Sequence, residues 1–341
     1  MRSLASKLGV SKSTVSLALA NNPRLPAATR ARIQSAARAE GYTQDAVMSQ
    51  LLARLRASRT VRFQGTLAVL SCRRSQPMWE AYESYRLFVS GVEARARDLG
   101  YATDRYWLHH PGVSISTLRR ILRARGVQGL AVAIHDDGAP LPSSALALLD
   151  EYPSASTQPY PFGPLTHCAT ADNYRAVRTA CVELTLRGYR RIGLYLNPLT
   201  DRFVGGRFTA PYLYHCLSTG QDPLPVVADH EPTFEHFHRW FRAHRPDALL
   251  TLVSCADRWL RELGLEPGRD VGLVHLDSRE APAWAAVDQR FFEVGAACAD
   301  LVVAQIQRGE RGRPLHPKVV TVDVAWREGA TVRPRAAEAV A

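Results

Sequence analysis

Hydrophobic and polar positions fall into two regimes along the chain. Up to about residue 62, apolar residues recur at helical spacing in short stretches cut by glycine, asparagine and proline; from Gly65 onward, short apolar runs alternate with longer amphipathic stretches. In the first regime Leu4 to Leu8 reads as a short helix ended at Gly9, the residue type that most easily takes the left-handed turn at a helix C-terminus. Ser11 then caps a second helix, Lys12 to Ala20, which puts Val15 and Leu19 on one face at four-residue spacing while Lys12, Ser13 and Ser16 point outward. Asn21-Asn22-Pro23 stops it. A third helix runs from about Ala27 to Glu40, with Ile33, Ala36 and Ala37 on its inner face and Gly41 as its stop. Three short helices with a glycine turn between the first two match the helix-turn-helix plan, whose second helix enters the major groove of DNA.

The second regime predicts an α/β region. Thr66 to Leu70 reads as a buried strand, Tyr85 to Leu99 as a helix stopped by Gly100, Ser116 to Arg125 as a helix, and Gly129 to Ile134 as a strand. The alternation resumes with a helix over Asn173 to Arg187, a strand over Arg191 to Leu196 and a helix near Phe203 to Thr219. Strands at Ala248 to Leu252 and Val271 to Leu276 and a helix at Phe292 to Arg308 complete it. Strands separated by helices imply parallel sheets with covered faces, and two such runs imply two Rossmann-like subdomains whose ligands lie at the C-terminal strand ends.

Charge sharpens the reading of the first regime. The 341 residues carry a net +11, and residues 1–62 hold eleven Lys and Arg against only Glu40 and Asp45, so +9 of it sits in less than a fifth of the chain. Such concentration is the footprint of a polyanion binder, because each phosphate contact releases a condensed counterion. A merely solvated face would not leave the remaining residues almost neutral. The six cysteines, Cys72, Cys168, Cys181, Cys216, Cys255 and Cys298, form no CxxC pair and lie in or beside apolar or small-residue stretches, so they read as reduced core thiols. No stretch approaches the ~20 apolar residues of a membrane helix, and the N-terminus lacks a signal-peptide core, so a cytoplasmic protein with no membrane partner is expected. Catalytic signatures are missing: no GxGxxG after the first strand, no Walker loop, no GxSxG elbow. His230, His236, His238 and His244 include no i, i+4 pair for a metal on one helix face and read as a solvated or interfacial helix. Gly205-Gly206 reads as a loop or helix start. No enzyme, metal site or cofactor is expected.

The run Leu4-Ala5-Ser6-Lys7-Leu8-Gly9-Val10-Ser11-Lys12-Ser13-Thr14-Val15-Ser16-Leu17-Ala18-Leu19-Ala20-Asn21-Asn22-Pro23, followed by Thr29-Arg30-Ala31-Arg32-Ile33 and Gly41-Tyr42, resembles the headpiece of the LacI/GalR family of repressors without a gap. The resemblance implies base-reading positions at Lys12 and Ser13, and a third at Leu17 one turn on. Leu17 has no donor for a base edge and offers only apolar contact, for instance to a thymine methyl. Ser11, Thr14, Ser16 and Asn21 are then candidates for phosphate contacts or helix caps, which position the domain without reading sequence, and Arg24 joins them. Homologous headpieces start a few residues earlier, so the first helix lacks its N-cap and Met1 is a candidate misassigned start. Residues 45–62 correspond to the family's hinge helix, with apolar residues 47, 48, 51, 52 and 55 as one stripe and Arg54, Arg56 and Arg59 at its end. Counting from Gly41-Tyr42 makes Leu51 the leucine wedged into the minor groove, with Arg54 beside the DNA. Gln44 and Ala46 stand where the family has prolines, which loosens this register. The competing reading makes Leu52 and Leu55 plain dimer or core contacts.

The resemblance continues more weakly through Leu186-Arg187-Gly188-Tyr189-Arg190-Arg191-Ile192-Gly193, Asp270 to Asp277, and Val287-Asp288-Gln289 with Gly295. It implies an all-α headpiece followed by a sensor of periplasmic-binding-protein type. The expected boundaries are 1–44 for the helix-turn-helix, 45–62 for hinge and linker, 63–335 for the effector-binding and dimerisation domain, and 336–341 for a tail. The two subdomains are expected at 63–165 with 289–315, and 166–288 with 316–335. Asp277 is the expected acceptor for ligand hydroxyls, against a loop-capping role, and Arg207 the next candidate, against a solvated helix arginine. Trp79, Tyr82 and Trp284 could stack on a sugar ring or be ordinary packing. The family's usual Asn-Asp pair is replaced by Ser254-Cys255-Ala256-Asp257. The implied function is a transcriptional regulator, of repressor type, that binds a palindromic double-stranded operator as a homodimer and answers to a carbohydrate-like effector. An architectural DNA-binding protein without effector, and a sugar-modifying enzyme fused to a DNA domain, are the readings from other classes.

Overall fold

The computed structural model describes residues 2–19, 25–39, 63–134, 141–158, 166–226, 232–279 and 281–335. The expected hinge, 45–62, lies outside them, as do Asn21, Arg24, Leu51 and Arg54. Three helices open the chain: α1 (Arg2–Leu8), α2 (Lys12–Leu19) and α3 (Ala27–Ala39). Gly9 closes α1 at φ +64°, the left-handed conformation that glycine adopts without a Cβ clash. Ser11 caps α2, its Oγ accepting from the Thr14 N–H at 3.0 Å. Val15, Ile33 and Ala37 fill the core with Leu4, Ala5 and Ala18. Ala18 was not among the expected inner positions; the Leu19 side chain lies outside what is described. Gln34 ties α3 to α2 by donating to the Ala18 carbonyl at 2.9 Å.

The first subdomain contains β1 (Gly65–Ser71), α4 (Met78–Ala81), α5 (Glu83–Asp98), β2 (Tyr101–Trp107), α6 (Ile115–Ala124), β3 (Val127–Ala133), α7 (Ser143–Leu149), β4 (Ser154–Ser156) and β5 (His167–Ala171). The second contains α8 (Asn173–Leu186), β6 (Ile192–Tyr195), α9 (Pro198–Phe203), α10 (Thr209–Thr219), α11 (Phe234–His244), β7 (Ala248–Thr251), α12 (Ala256–Glu262), β8 (Gly272–His275) and β9 (Ala285–Asp288). The chain then returns to the first for α13 (Phe291–Arg308) and β10 (Val319–Val322), and crosses once more to end in β11 (Ala325–Arg327). The first sheet has the order β10-β5-β4-β3-β1-β2 with every pair parallel. The second has the order β11-β9-β8-β7-β6, parallel except where β11 runs antiparallel to β9. Two parallel sheets flanked by helices are the expected architecture.

The crossing points differ from those expected. The first falls after Ala171, because β5 still belongs to the first sheet, and the last after Val322, because β10 pairs with β5. Of the helix expected near 203–219 only Thr209–Thr219 forms; Gly205 and Gly206, both at positive φ (+67° and +75°), separate it from the short helix that ends at Phe203. Asp201 caps the longer helix, its carboxylate accepting from the Phe208 N–H at 2.9 Å and the Thr209 N–H at 3.3 Å. Two of the histidines of α11 rest on its own aromatic rings, His238 stacked on Phe234 and His244 against Trp240, while Phe237, Trp240 and Phe241 face the core.

On one face of the first sheet α5 and α13 cross with their backbones in contact. A Cβ on Gly91 would collide with the Phe292 carbonyl, and one on Gly295 with the Phe88 carbonyl. Two glycines facing each other's helix backbone allow an approach that no other residue type permits. Phe88, Val92, Val294 and Cys298 fill the space around this contact with less than 2% exposure each.

Candidate nucleic-acid interface and effector cleft

At the start of α2, Ser11 and Ser13 are exposed and Thr14 and Leu17 half-buried, while Val15 is buried. Ser13 and Leu17 are four residues apart and so lie one turn above each other on the outer side of the helix. The Ser11 hydroxyl is occupied locally, 2.7 Å from the Ser13 hydroxyl and 2.8 Å from that of Thr14, which favours the capping reading of Ser11 over a free phosphate donor. Lys12 and Ser16 lie in the helix, with their side chains outside what is described. The exposed hydroxyls and the half-open leucine form a small ridge that would suit base edges and a thymine methyl. Replacing Leu17 by Arg adds a bidentate donor fork, so selection from randomised duplexes should move the preferred base at one half-site position to guanine, by roughly 1–3 kcal/mol of discrimination. If wild type and Leu17→Arg select the same motif, Leu17 does not face the bases.

The second candidate site lies at the C-terminal ends of the strands, where ligands of open α/β sheets bind. Asp277 follows β8 and is 7% exposed. Its N–H reaches the His275 Nδ1 at 3.1 Å and its Oδ1 accepts from the Arg279 N–H at 3.2 Å, so it both ends the strand and caps the following turn. Burial holds His275 uncharged, its pKa lowered to about 4, and its ring stands edge-on against Trp284 at 5.6 Å. Trp284 is 6% exposed and belongs to the core of the second subdomain, so the structure gives it the packing role. The loop after Asp277 is clamped from β11: Arg327 Nη2 donates to the carbonyls of Ser278, Ala281 and Trp284 at 3.1, 2.8 and 3.2 Å, and Nη1 to that of Pro282. Four carbonyls on one planar donor fix the loop that carries the aspartate.

The first subdomain supplies the opposite wall. Trp79 and Tyr82 are half-buried and pack on its core, and Tyr82 stands 6.2 Å from the ring of Tyr85. Tyr85 donates to the Ile134 carbonyl at 3.1 Å, and its pKa rises to about 12, chiefly through burial, with the charge of Asp277 adding to the rise. Asp277 of one subdomain is therefore close to Tyr85 of the other. Arg207, half-buried ahead of α10, is likewise close enough to Cys168 in β5 for its charge to oppose the burial that lifts that thiol to about 12. Asp277, just after β8, and Arg207, between α9 and α10, are thus the candidates whose charges act on a group of the other half. Sequence reasoning missed Arg327 and Tyr85, which carry no motif: one is a strand arginine near the C-terminus, the other a helix tyrosine among apolar neighbours.

Residues 1–45 match the family described as bacterial regulatory proteins, lacI family. No curated protein matches the chain in sequence. Among solved structures, the chain is similar to the transcriptional regulator CelR in complex with cellobiose, with 20% identity over 96% of this chain and 98% of that one and a TM-score of 0.62. It is similar at 19% identity to the lac repressor dimer bound to operator and the anti-inducer ONPF, over 97% of this chain and 98% of that one with a TM-score of 0.58. The transcription regulator CcpA of Lactococcus lactis superposes with a TM-score of 0.61 at 11% identity, over 78% of this chain and 99% of that one.

Proposed function

We propose that this chain, a lacI-family DNA-binding domain on a sensor with the fold of LacI-type regulators, is a sequence-specific transcriptional regulator of repressor type that releases or grips its operator in response to a small polyhydroxylated effector. The match over residues 1–45, coinciding with +9 of the chain's +11 charge on residues 1–62, is the observation that carries the reading. The CelR structure holds cellobiose and the lac repressor structure the anti-inducer ONPF, which supports a carbohydrate-like effector between the subdomains. A two-fold dimer reads a palindrome, because each copy presents the same recognition helix to one half-site. Selection from randomised duplexes with the full chain should return two inverted half-sites about one helical turn apart. Recovery of no motif would instead favour a sequence-independent architectural protein.

The effector side has its own test. A ligand shifts an equilibrium only by its different affinity for the two states, so the carboxylate that meets it must matter to coupling. Asp277→Asn keeps the size and the turn-capping oxygen but loses the charge. It should fold and bind the selected operator as the wild type does, with the ligand response lost; unchanged ligand affinity would reject Asp277 as the acceptor.

A further inference from the structure

Among the described residues, two buried polar atoms at the C-terminal edge of the first sheet have no hydrogen-bond partner: Arg73 Nη1 and Gln158 Oε1. Arg73 lies two residues past the end of β1 and Gln158 two past the end of β4. In the sheet β4, β3 and β1 are consecutive parallel neighbours, so both loops leave the same edge, on the side of the cleft. Neither residue is loosely placed. The Arg73 carbonyl accepts from the Trp107 Nε1–H at 2.6 Å, and its guanidinium lies over the Tyr82 ring with 5.3 Å to the centroid. The Gln158 carbonyl accepts from the Ser156 Oγ at 2.9 Å.

A buried donor without an acceptor, and a buried acceptor without a donor, each cost free energy that native proteins seldom leave unrecovered. Among the described residues no carboxylate forms an ion pair with Arg73 or with Arg207, and the aspartate placed on this boundary is Asp277. A neutral hydroxyl on Arg73 would satisfy the N–H and leave the charge uncompensated. A carboxylate or phosphate oxygen would do both, as charge-assisted pairs with arginine do. Gln158 Oε1 accepts only, so the group that meets it is a donor such as a hydroxyl.

We propose that the effector is a hydroxylated anion, of the sugar-acid or sugar-phosphate class, whose anionic group is taken by Arg73 and whose hydroxyls meet Gln158 and Asp277. The inference rests on the cleft being the effector site of the regulator described above. Tyr82 then backs the guanidinium and Arg207 adds a second cation from the other wall. The anion is the element that distinguishes this cleft from one built for a neutral sugar.

Calorimetry on the full chain with matched probes tests it: galactose against galacturonate for the carboxylate arm, and glucose against glucose 6-phosphate for the phosphate arm. In at least one pair the anionic member should bind roughly tenfold tighter or more, and the arm that shows it identifies the anion. Arg73→Gln should remove most of that advantage, bringing the ratio of anionic to neutral affinity close to one. Arg73→Lys keeps the charge without the planar fork and should retain part of it, which gives a reading even if the glutamine variant does not fold. Equal or tighter binding of the neutral members, survival of the advantage in Arg73→Gln, or no saturable binding of any anionic probe overturns the proposal. A neutral sugar that shifts operator affinity would sink the anion and leave the regulator standing, whereas failure to select any operator would sink the regulator itself.

Discussion

A chain lacking residues 1–62 should bind the selected operator at least roughly a thousandfold more weakly than the full chain, the order of the gap between specific and non-specific binding. The truncated protein should still fold, because the two sheets and their helices bury their own cores and every strand among the described residues lies between Gly65 and Arg327. The deleted segment holds eleven of the cations and two acids, so most of the attraction to phosphate leaves with it. For the intact protein the same charge predicts a steep salt dependence. A dimer that neutralises about six to ten phosphates loses roughly 10³ to 10⁵ in affinity between 50 and 200 mM salt. Fluorescence anisotropy on a labelled operator, at several salt concentrations and with both proteins, measures both effects. Full affinity in the truncated form, or an affinity indifferent to salt, would show that DNA is held elsewhere on the molecule.

Gly295→Ala should destabilise the sensor by roughly 3 kcal/mol or more, a large loss for a single methyl group. The added Cβ points into the Phe88 carbonyl of α5, which no rotamer change can move aside; relief requires the two helices to separate, and their separation opens the core around Phe88 and Val294. Gly91→Ala should behave alike from the other side, against the Phe292 carbonyl. Gly126 is the control: it sits at φ +64° with nothing within 4 Å of an added Cβ, so Gly126→Ala costs only the left-handed strain of about 1–2 kcal/mol. Urea unfolding of the three variants ranks them. If Gly295→Ala falls no further than Gly126→Ala, the helices are not in backbone contact.

The headpiece was legible because its punctuation is local. Gly9 and Ser11 stand at the positions where the turn and the cap need those residue types, and the apolar spacing around Val15 and Ile33 follows the helix period. The sensor was legible where strands are runs of large apolar residues, as in Leu67 to Leu70, but not where burial falls on small or polar ones. β5, His167-Cys168-Ala169-Thr170-Ala171, is buried throughout yet shows no apolar run, and its omission moved the first crossing six residues too early. At the other extreme β10 is mostly exposed, an edge strand whose place is set by pairing with β5 and not by its own pattern. Asp277 and Arg207 came from resemblance alone. Arg73 and Gln158 could not come from sequence at all, because an orphaned buried atom is a property of packing between segments distant in the chain.

The scattered cysteines give each half of the sensor its own chemical clock. Cys72, Cys168 and Cys298 are buried in the first subdomain, Cys181 and Cys216 in the second, and burial raises the pKa of Cys168, Cys181, Cys216 and Cys298. A thiol in that state reacts with an alkylating reagent only when its surroundings open, so its modification rate reports local opening and not intrinsic reactivity. Cys255, partly buried just ahead of α12, is the most accessible of the six, although burial raises its pKa too, and it serves as the fast reference against which the others are timed. Mass spectrometry of the alkylated peptides can therefore follow the breathing of the two subdomains separately, in one sample and without any engineered probe.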